Sequence, residues 1–286
     1  LDSVVLNLGT GSDIVNVAKG NLTNTDNINA GAGDTDVLNI TDTSGALTFL
    51  DTNFTNLSNF ETLNLGNGSN DTITLGGAEL TGAGFTAING RAGSDTLNIS
   101  VDNYNFTTMT VSGFETINVN GTANLTGEVD NTVSNISVAN GKTLTVGATD
   151  FNNDTIAINT NTSGNVIITA DTATPANNNF VGITKFGMGN ITLDVNATVN
   201  LSSVTLGAGI NRFDVASGAT LTLSSTQLTG TMKLTGSGNV VVNSVATDST
   251  INLSSIVDDT FTGSITINDG TGNNTITTNN ENSTIN

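Results

Sequence analysis

Apolar residues alternate with Asn, Thr or Asp along most of the chain, in short runs such as Val4-Val5-Leu6-Asn7-Leu8, Ile14-Val15-Asn16-Val17, Leu63-Asn64-Leu65 and Ile73-Thr74-Leu75. Leu97-Asn98-Ile99, Ile117-Asn118-Val119, Leu144-Thr145-Val146, Ile156-Ala157-Ile158 and Leu221-Thr222-Leu223 continue the pattern, as do Ile191 to Val195 and Ile265-Thr266-Ile267. A period of two with β-branched residues is the signature of strands whose side chains alternate between two faces. Clusters of Gly, Asn, Ser and Asp between the runs supply turns. Beyond residue 190 the pattern predicts strands centred near Leu193, Val199, Leu206, Phe213, Leu221, Leu234, Val241, Leu253, Ile267 and Ile276. Gaps this short hold no helical crossover, so the expected class is all-β.

Two architectures meet that description: tandem β-sandwich domains, or a right-handed parallel β-solenoid. Aromatic residues make up only 4% of the chain, too few for the thick core of a sandwich. Asn and Thr within strands stack on themselves when coils repeat, forming ladders. The solenoid is therefore the expected fold and the sandwich the alternative. An internal repeat agrees with this. Gly31 to Ile40 is followed by Asn59-Phe60-Glu61-Thr62-Leu63-Asn64-Leu65, and the order recurs as Gly90 to Ile99 and Gly113-Phe114-Glu115-Thr116-Ile117-Asn118-Val119. The recurrence is a diverged module of two or three coils. Phe49, Phe54, Phe60, Phe85, Phe106 and Phe114 are read as core anchors or subunit contacts, with Phe60 and Phe114 in the core because each precedes a strand.

Composition narrows the chemistry. The chain has no Cys and no His, which excludes disulfides, a Ser-His-Asp triad and the usual zinc and haem ligands. Six Lys and Arg against 25 Asp and Glu, a net charge of −19, exclude a conventional nucleic-acid binder and disfavour an anionic membrane. No apolar run reaches the ~18 residues that cross a bilayer, and direct membrane insertion is not expected. Leu1 opens without a signal-peptide pattern, so the chain reads as a piece of something longer or a processed form. Residues 1–130 hold 15 acids against 2 bases, whereas 131–286 hold 10 against 4. The expected organisation is an acidic, Gly-Asp-turn-rich segment, 1–130, and a continuing segment, 131–286, with an interruption near 171–179 at the one proline, Pro175.

The acidic segment repeats the motif Gly-x-Gly-x-Asp-x-apolar-x-apolar. It stands as Gly9 to Val17 and, with Arg91 in the first Gly slot, as Arg91-Ala92-Gly93-Ser94-Asp95-Thr96-Leu97; Gly31 to Ile40 and Gly66 to Ile73 carry one more residue before the Asp. Gly lets carbonyl oxygens point into the turn, and the Asp adds charge beside them. Hard oxygen ligands of that kind suit calcium. Gly207 to Phe213 and Gly270 to Ile276 have Asn211 and Asn274 in place of the acid and are read as plain turns.

These turns resemble the nonapeptide repeats of the RTX family, which bind calcium between coils of a parallel β-roll. The pairing of Asp-Thr-Leu-Asn-Ile with Phe-Glu-Thr-Leu-Asn-Leu is similar to RTX-related surface-layer proteins and adhesins of Gram-negative bacteria, exported by type I secretion. The resemblance covers about residues 1–130. It implies Asp13, Asp36, Asp71 and Asp95 as calcium ligands, with Asp34 assisting. It also implies an extracellular, cell-surface location and a non-enzymatic role in a calcium-stabilised lattice, with self-contacts and cell-surface polysaccharide as partners. A stalk or passenger region of an adhesin or autotransporter is the alternative. A polysaccharide-degrading β-helix enzyme ranks below both: Asp258-Asp259 is the one adjacent carboxylate pair, and the six bases are scattered singly. The Thr-x-Thr pairs, too irregular in sequence for an ice-binding face, are read as strand propensity.

Overall fold

Runs of three to six alternating residues are too short to bury themselves, so each must lie beside its equivalent in the next coil. In a computed structural model this happens throughout: the chain is an all-β, parallel β-solenoid of about 11 turns in all. Described are residues 3–33, 35–76, 82–106, 108–151, 155–170, 180–230, 232–244, 250–254, 256, 260–271, 273–277 and 283–286. The interruption expected near 171–179 lies outside them. The chain divides into two compact units, Leu1–Leu144 and Thr145–Asn286.

The first unit has three main faces. One stacks Ile14–Val17, Val37–Ile40, Thr62–Asn64, Ala87–Asn89 and Thr110–Ser112; a second stacks Thr48–Leu50, Thr72–Leu75, Thr96–Ile99, Thr116–Val119 and Asn135–Val138. A third begins with Val5–Asn7, Asn27–Asn29 and Leu57–Ser58. All pairs are parallel and in register: Ile14 meets Val37 and Val37 meets Thr62, while Thr72 meets Thr96 and Thr96 meets Thr116. A coil therefore takes 19 to 29 residues here, and the module, 59 residues from Asp36 to Asp95 and 54 from Phe60 to Phe114, is not a whole number of coils. Successive modules consequently land on different faces: Asp36 precedes a strand of the first, Asp95 one of the second.

Alternation decides what each face buries. Leu38, Leu63 and Ile88 stack inward, as do Ile73, Leu97 and Ile117, all fully buried. Each such Leu or Ile contributes about 1.5–3 kcal/mol by leaving water. All six phenylalanines of the first unit are buried, so the four left open by the sequence are core residues too. Phe60 and Phe85 stack with ring centroids 5.9 Å apart. Outward Asn residues form the expected ladders: Asn64 Nδ2 donates to Asn39 Oδ1 (2.8 Å), and Asn39 Nδ2 to Asn16 Oδ1 (3.0 Å).

The second unit repeats the scheme. Asn165–Ala170, Asn190–Val195, Arg212–Val215 and Lys233–Gly236 form one face, and Val199–Asn200, Thr220–Ser224, Asn239–Asn243, Ile265–Asn268 and Ser283–Ile285 another. Ile156–Asn159 pairs with Ile183–Phe186, and Thr250–Asn252 with Thr275–Thr277. Leu206, an expected strand centre, is in a loop instead. Glycines flank it on that side, and their close backbone approach to a neighbouring coil takes the place of a strand pair.

Candidate functional site

The residue just before each strand stacks on its counterpart one coil away. On three consecutive strands of the first face it is an acid, Asp13, Asp36 and Glu61, and on three consecutive strands of the second it is Asp71, Asp95 and Glu115. Two Asp-Asp-Glu columns result, and in each the carboxylate of one coil accepts an amide from the coil before. The Asp13 amide donates to Asp36 Oδ1 (2.7 Å) and the Asp36 amide to Glu61 Oε2 (2.6 Å). Likewise the Asp71 amide donates to Asp95 Oδ1 (2.7 Å) and the Asp95 amide to Glu115 Oε2 (2.6 Å). Charged acceptors make these among the stronger hydrogen bonds of the fold.

The four sequence-predicted aspartates thus come together as two separate pairs. Asp34 and the Asp258-Asp259 pair lie outside the described residues. Glu61 and Glu115 were not singled out from sequence, although a signal was present. Glu115-Thr116-Ile117-Asn118-Val119 occupies the same positions as Asp95-Thr96-Leu97-Asn98-Ile99 once the apolar pairs are aligned.

The second carboxylate oxygens are the unusual feature. Oδ2 of Asp13, Asp36 and Asp95 is buried with no hydrogen-bond partner; Asp71 holds Oδ2 on the Gly66 amide (2.7 Å) but leaves Oδ1 without one. Asp36 is 1% exposed and Asp71 and Asp95 are fully buried. Such oxygens cost free energy unless a proton or a cation meets them. Burial pushes the Asp95 carboxyl from 3.8 up to about 6, the charges of Asp71 and Glu115 adding to it against the Asp71 amide. Burial also raises Asp71, against the Ser69 hydroxyl and the Gly66 amide.

Asn211 shows what the first oxygen does by itself. It precedes a strand in the same way, and its Oδ1 accepts the Ile191 amide (2.8 Å). A neutral amide therefore suffices to bond two coils. The acid columns present an additional oxygen that this bond does not need.

Glycine makes room around these oxygens. A Cβ on Gly33 would meet the Gly11 carbonyl and Asp36 Oδ2, and one on Gly90 the Gly113 carbonyl and Asp95 Oδ2; one on Gly66 would meet the Ser69 hydroxyl, the Asp42 carbonyl and the amide-bonded Asp71 Oδ2. Carbonyl, hydroxyl and carboxylate oxygens converge where a larger residue would stand. An oxygen-only donor set fits a hard cation such as calcium and not a metal that prefers nitrogen or sulfur. Among the described residues no three Asp, Glu, His or Cys side chains gather as one metal-holding group. A cation here would take one or two carboxylates and fill its shell from backbone carbonyls. Among the described residues no helix is long and apolar enough to cross a membrane. Comparison of the chain with protein-family models, curated proteins and solved structures finds no match.

Proposed function

We propose that this chain is a structural segment of a secreted bacterial surface-layer protein: a calcium-stabilised solenoid that works through contacts between copies at the cell surface and has no catalytic role. The observation that supports calcium is the pair of Asp-Asp-Glu columns, in each of which a buried aspartate oxygen without a donor, Asp36 Oδ2 or Asp95 Oδ2, stands beside a glycine corner, Gly33 or Gly90. Asp36 and Asp95 would supply carboxylates to the ion, with Asp13 and Asp71 as their stacked partners. A bound ion would cancel the repulsion within each column and stabilise the folded state by RT ln(1 + [L]/Kd). A scaffold role agrees with how the polar groups are used, since acids and ladder asparagines bond coil to coil.

Thermal unfolding in chelator and in millimolar calcium tests the metal. The melting temperature should rise with calcium, and the rise should shrink in the Asp36→Asn/Asp95→Asn double variant; identical curves for the wild type would overturn it. Electron microscopy tests the lattice: sheets that dissolve in chelator are expected, and a chain that stays monomeric in calcium at high concentration refutes assembly. The second reading, a stalk or passenger region binding a polymer surface, is favoured by a cavity in the second unit.

A further inference from the structure

The segment 201–211 is where the second unit departs from its own pattern. Its Gly207-Ala208-Gly209 turn carries no acid and joins no carboxylate column. Instead a Cβ on Gly207 would lie 2.6 Å from the Ile183 carbonyl, and one on Gly209 would lie 3.0 Å from it. The loop is pressed onto the strand Ile183–Phe186 and covers it without pairing as a strand. One coil further on, Ser225–Gln227 is a short 3-10 turn. Between the two lies an open cavity of about 640 Å3.

Its walls are held in place before any ligand arrives. Gln227 Nε2 donates to the carbonyls of Leu201 and Val204, both at 2.6 Å, and its Oε1 accepts the Ser224 amide (2.7 Å). The Ser224 and Thr226 hydroxyls share a hydrogen bond of 2.9 Å. Buried Val204, Ile210 and Met232 form an apolar floor, while exposed Ser203, Thr205 and Thr226 bring hydroxyls to the rim. Among the described residues no Asp, Glu, Lys or Arg lines the cavity.

That chemistry selects a ligand class. Nothing in the lining neutralises an anion, and the chain's −19 repels one. Nothing in it offers a carboxylate to a cation. A wholly apolar guest would bury rim hydroxyls without partners. A neutral polyol matches each element: its hydroxyls exchange donors and acceptors with Ser, Thr and main-chain groups, and its C–H face rests on the floor. The volume lies within the roughly 300–1,000 Å3 usual for small-ligand sites.

We propose that this cavity binds a unit of an uncharged saccharide. The site lies wholly in the second unit, and none of its lining residues belongs to the carboxylate columns, so it stands or falls separately from calcium. The full chain, in chelator and in calcium, is titrated calorimetrically with cellotriose, maltotriose and trigalacturonate. Expected is saturable binding of at least one neutral trisaccharide, with Kd no weaker than roughly 10 mM and tenfold or more tighter than trigalacturonate. Ala208→Trp, at an exposed lining position, should weaken it at least tenfold with melting unchanged. Thr205→Val with Thr226→Val, which removes rim hydroxyls without adding bulk, should weaken it severalfold and serves if the first variant misfolds. No binding of either neutral probe at that concentration, equal binding of the anionic trimer, or binding insensitive to whichever variant folds would overturn the assignment.

Discussion

Asp95→Asn separates the two roles of a column carboxylate. The substitution keeps an Oδ1 to accept the Asp71 amide, as Asn211 does for Ile191, and removes the charge from a fully buried site. In the wild type the folded state holds its proton up to about pH 6, whereas the unfolded chain ionises near 3.8. Metal-free stability is therefore highest below pH 3.8, falls as pH rises to about 6, and is level above it as far as this group is concerned. At about 1.4 kcal/mol per pH unit the loss is about 3 kcal/mol. Asp95→Asn does not titrate, so at pH 7 in chelator it should be more stable than wild type by up to that amount. Urea unfolding followed by circular dichroism, at pH 4 to 8 in chelator, measures both slopes. In calcium the gap should narrow, because the wild type gains a ligand that the variant binds less well. A wild-type stability with no fall between pH 4 and 6 in chelator, or a variant no more stable at pH 7, refutes burial of an uncompensated charge.

Asp26 behaves oppositely. The Val4 amide (2.9 Å), with the Thr23 amide and hydroxyl, holds its carboxyl below 3.8 despite burial. Its contribution is present above pH 3.8 and disappears as pH falls through the lowered folded value, and Asp26→Ala should cost about 2 kcal/mol at pH 7 by urea titration. Gly33→Ala should destabilise by about 3 kcal/mol or more, because its Cβ would strike the Gly11 carbonyl of the adjacent coil. Gly20→Ala, with nothing within 4 Å, should stay within about 0.5 kcal/mol of wild type, and equal melting temperatures for the two would contradict the stacking. Phe60→Ala removes a fully buried ring stacked on Phe85 and should cost about 3–5 kcal/mol in the same assay.

Strand positions were legible because side-chain alternation is a local property. Thr72–Leu75 or Thr220–Ser224 needs only its own residues to show which face is apolar. Of the expected strand centres Leu206 fails: its side chain is apolar, but the strand next to it is met by glycine backbone, and no local pattern reveals that contact; Thr48–Leu50, Ala87–Asn89, Asn165–Ala170 and Ile183–Phe186 are strands that the sequence reading did not name. The four aspartates were legible as ligand-type residues from their glycine turns. Their pairing was not, because Asp13 and Asp36 are 23 residues apart and Asp71 and Asp95 are 24 apart, and only coil length sets which acids stack. Glu61 and Glu115 were passed over for a different reason: no Gly-x-Gly turn flanks them, and only their place before the same apolar-x-apolar run marks them as equivalents of the aspartates. The hydroxyl-lined cavity was hidden more deeply, as it arises from two loops a coil apart.

Period, composition and turn chemistry by themselves determined that this chain is all-β, thin-cored, acidic and free of thiol and imidazole chemistry. Those are properties of nearest neighbours and of counts. Tertiary structure alone decided that the module advances from face to face, that the acids form two columns and not one, and that their second oxygens are buried without donors. The reason is geometric: alternation along a strand repeats every two residues, but stacking depends on where each coil, 18 to 29 residues long, closes, and that is set by packing across the whole turn.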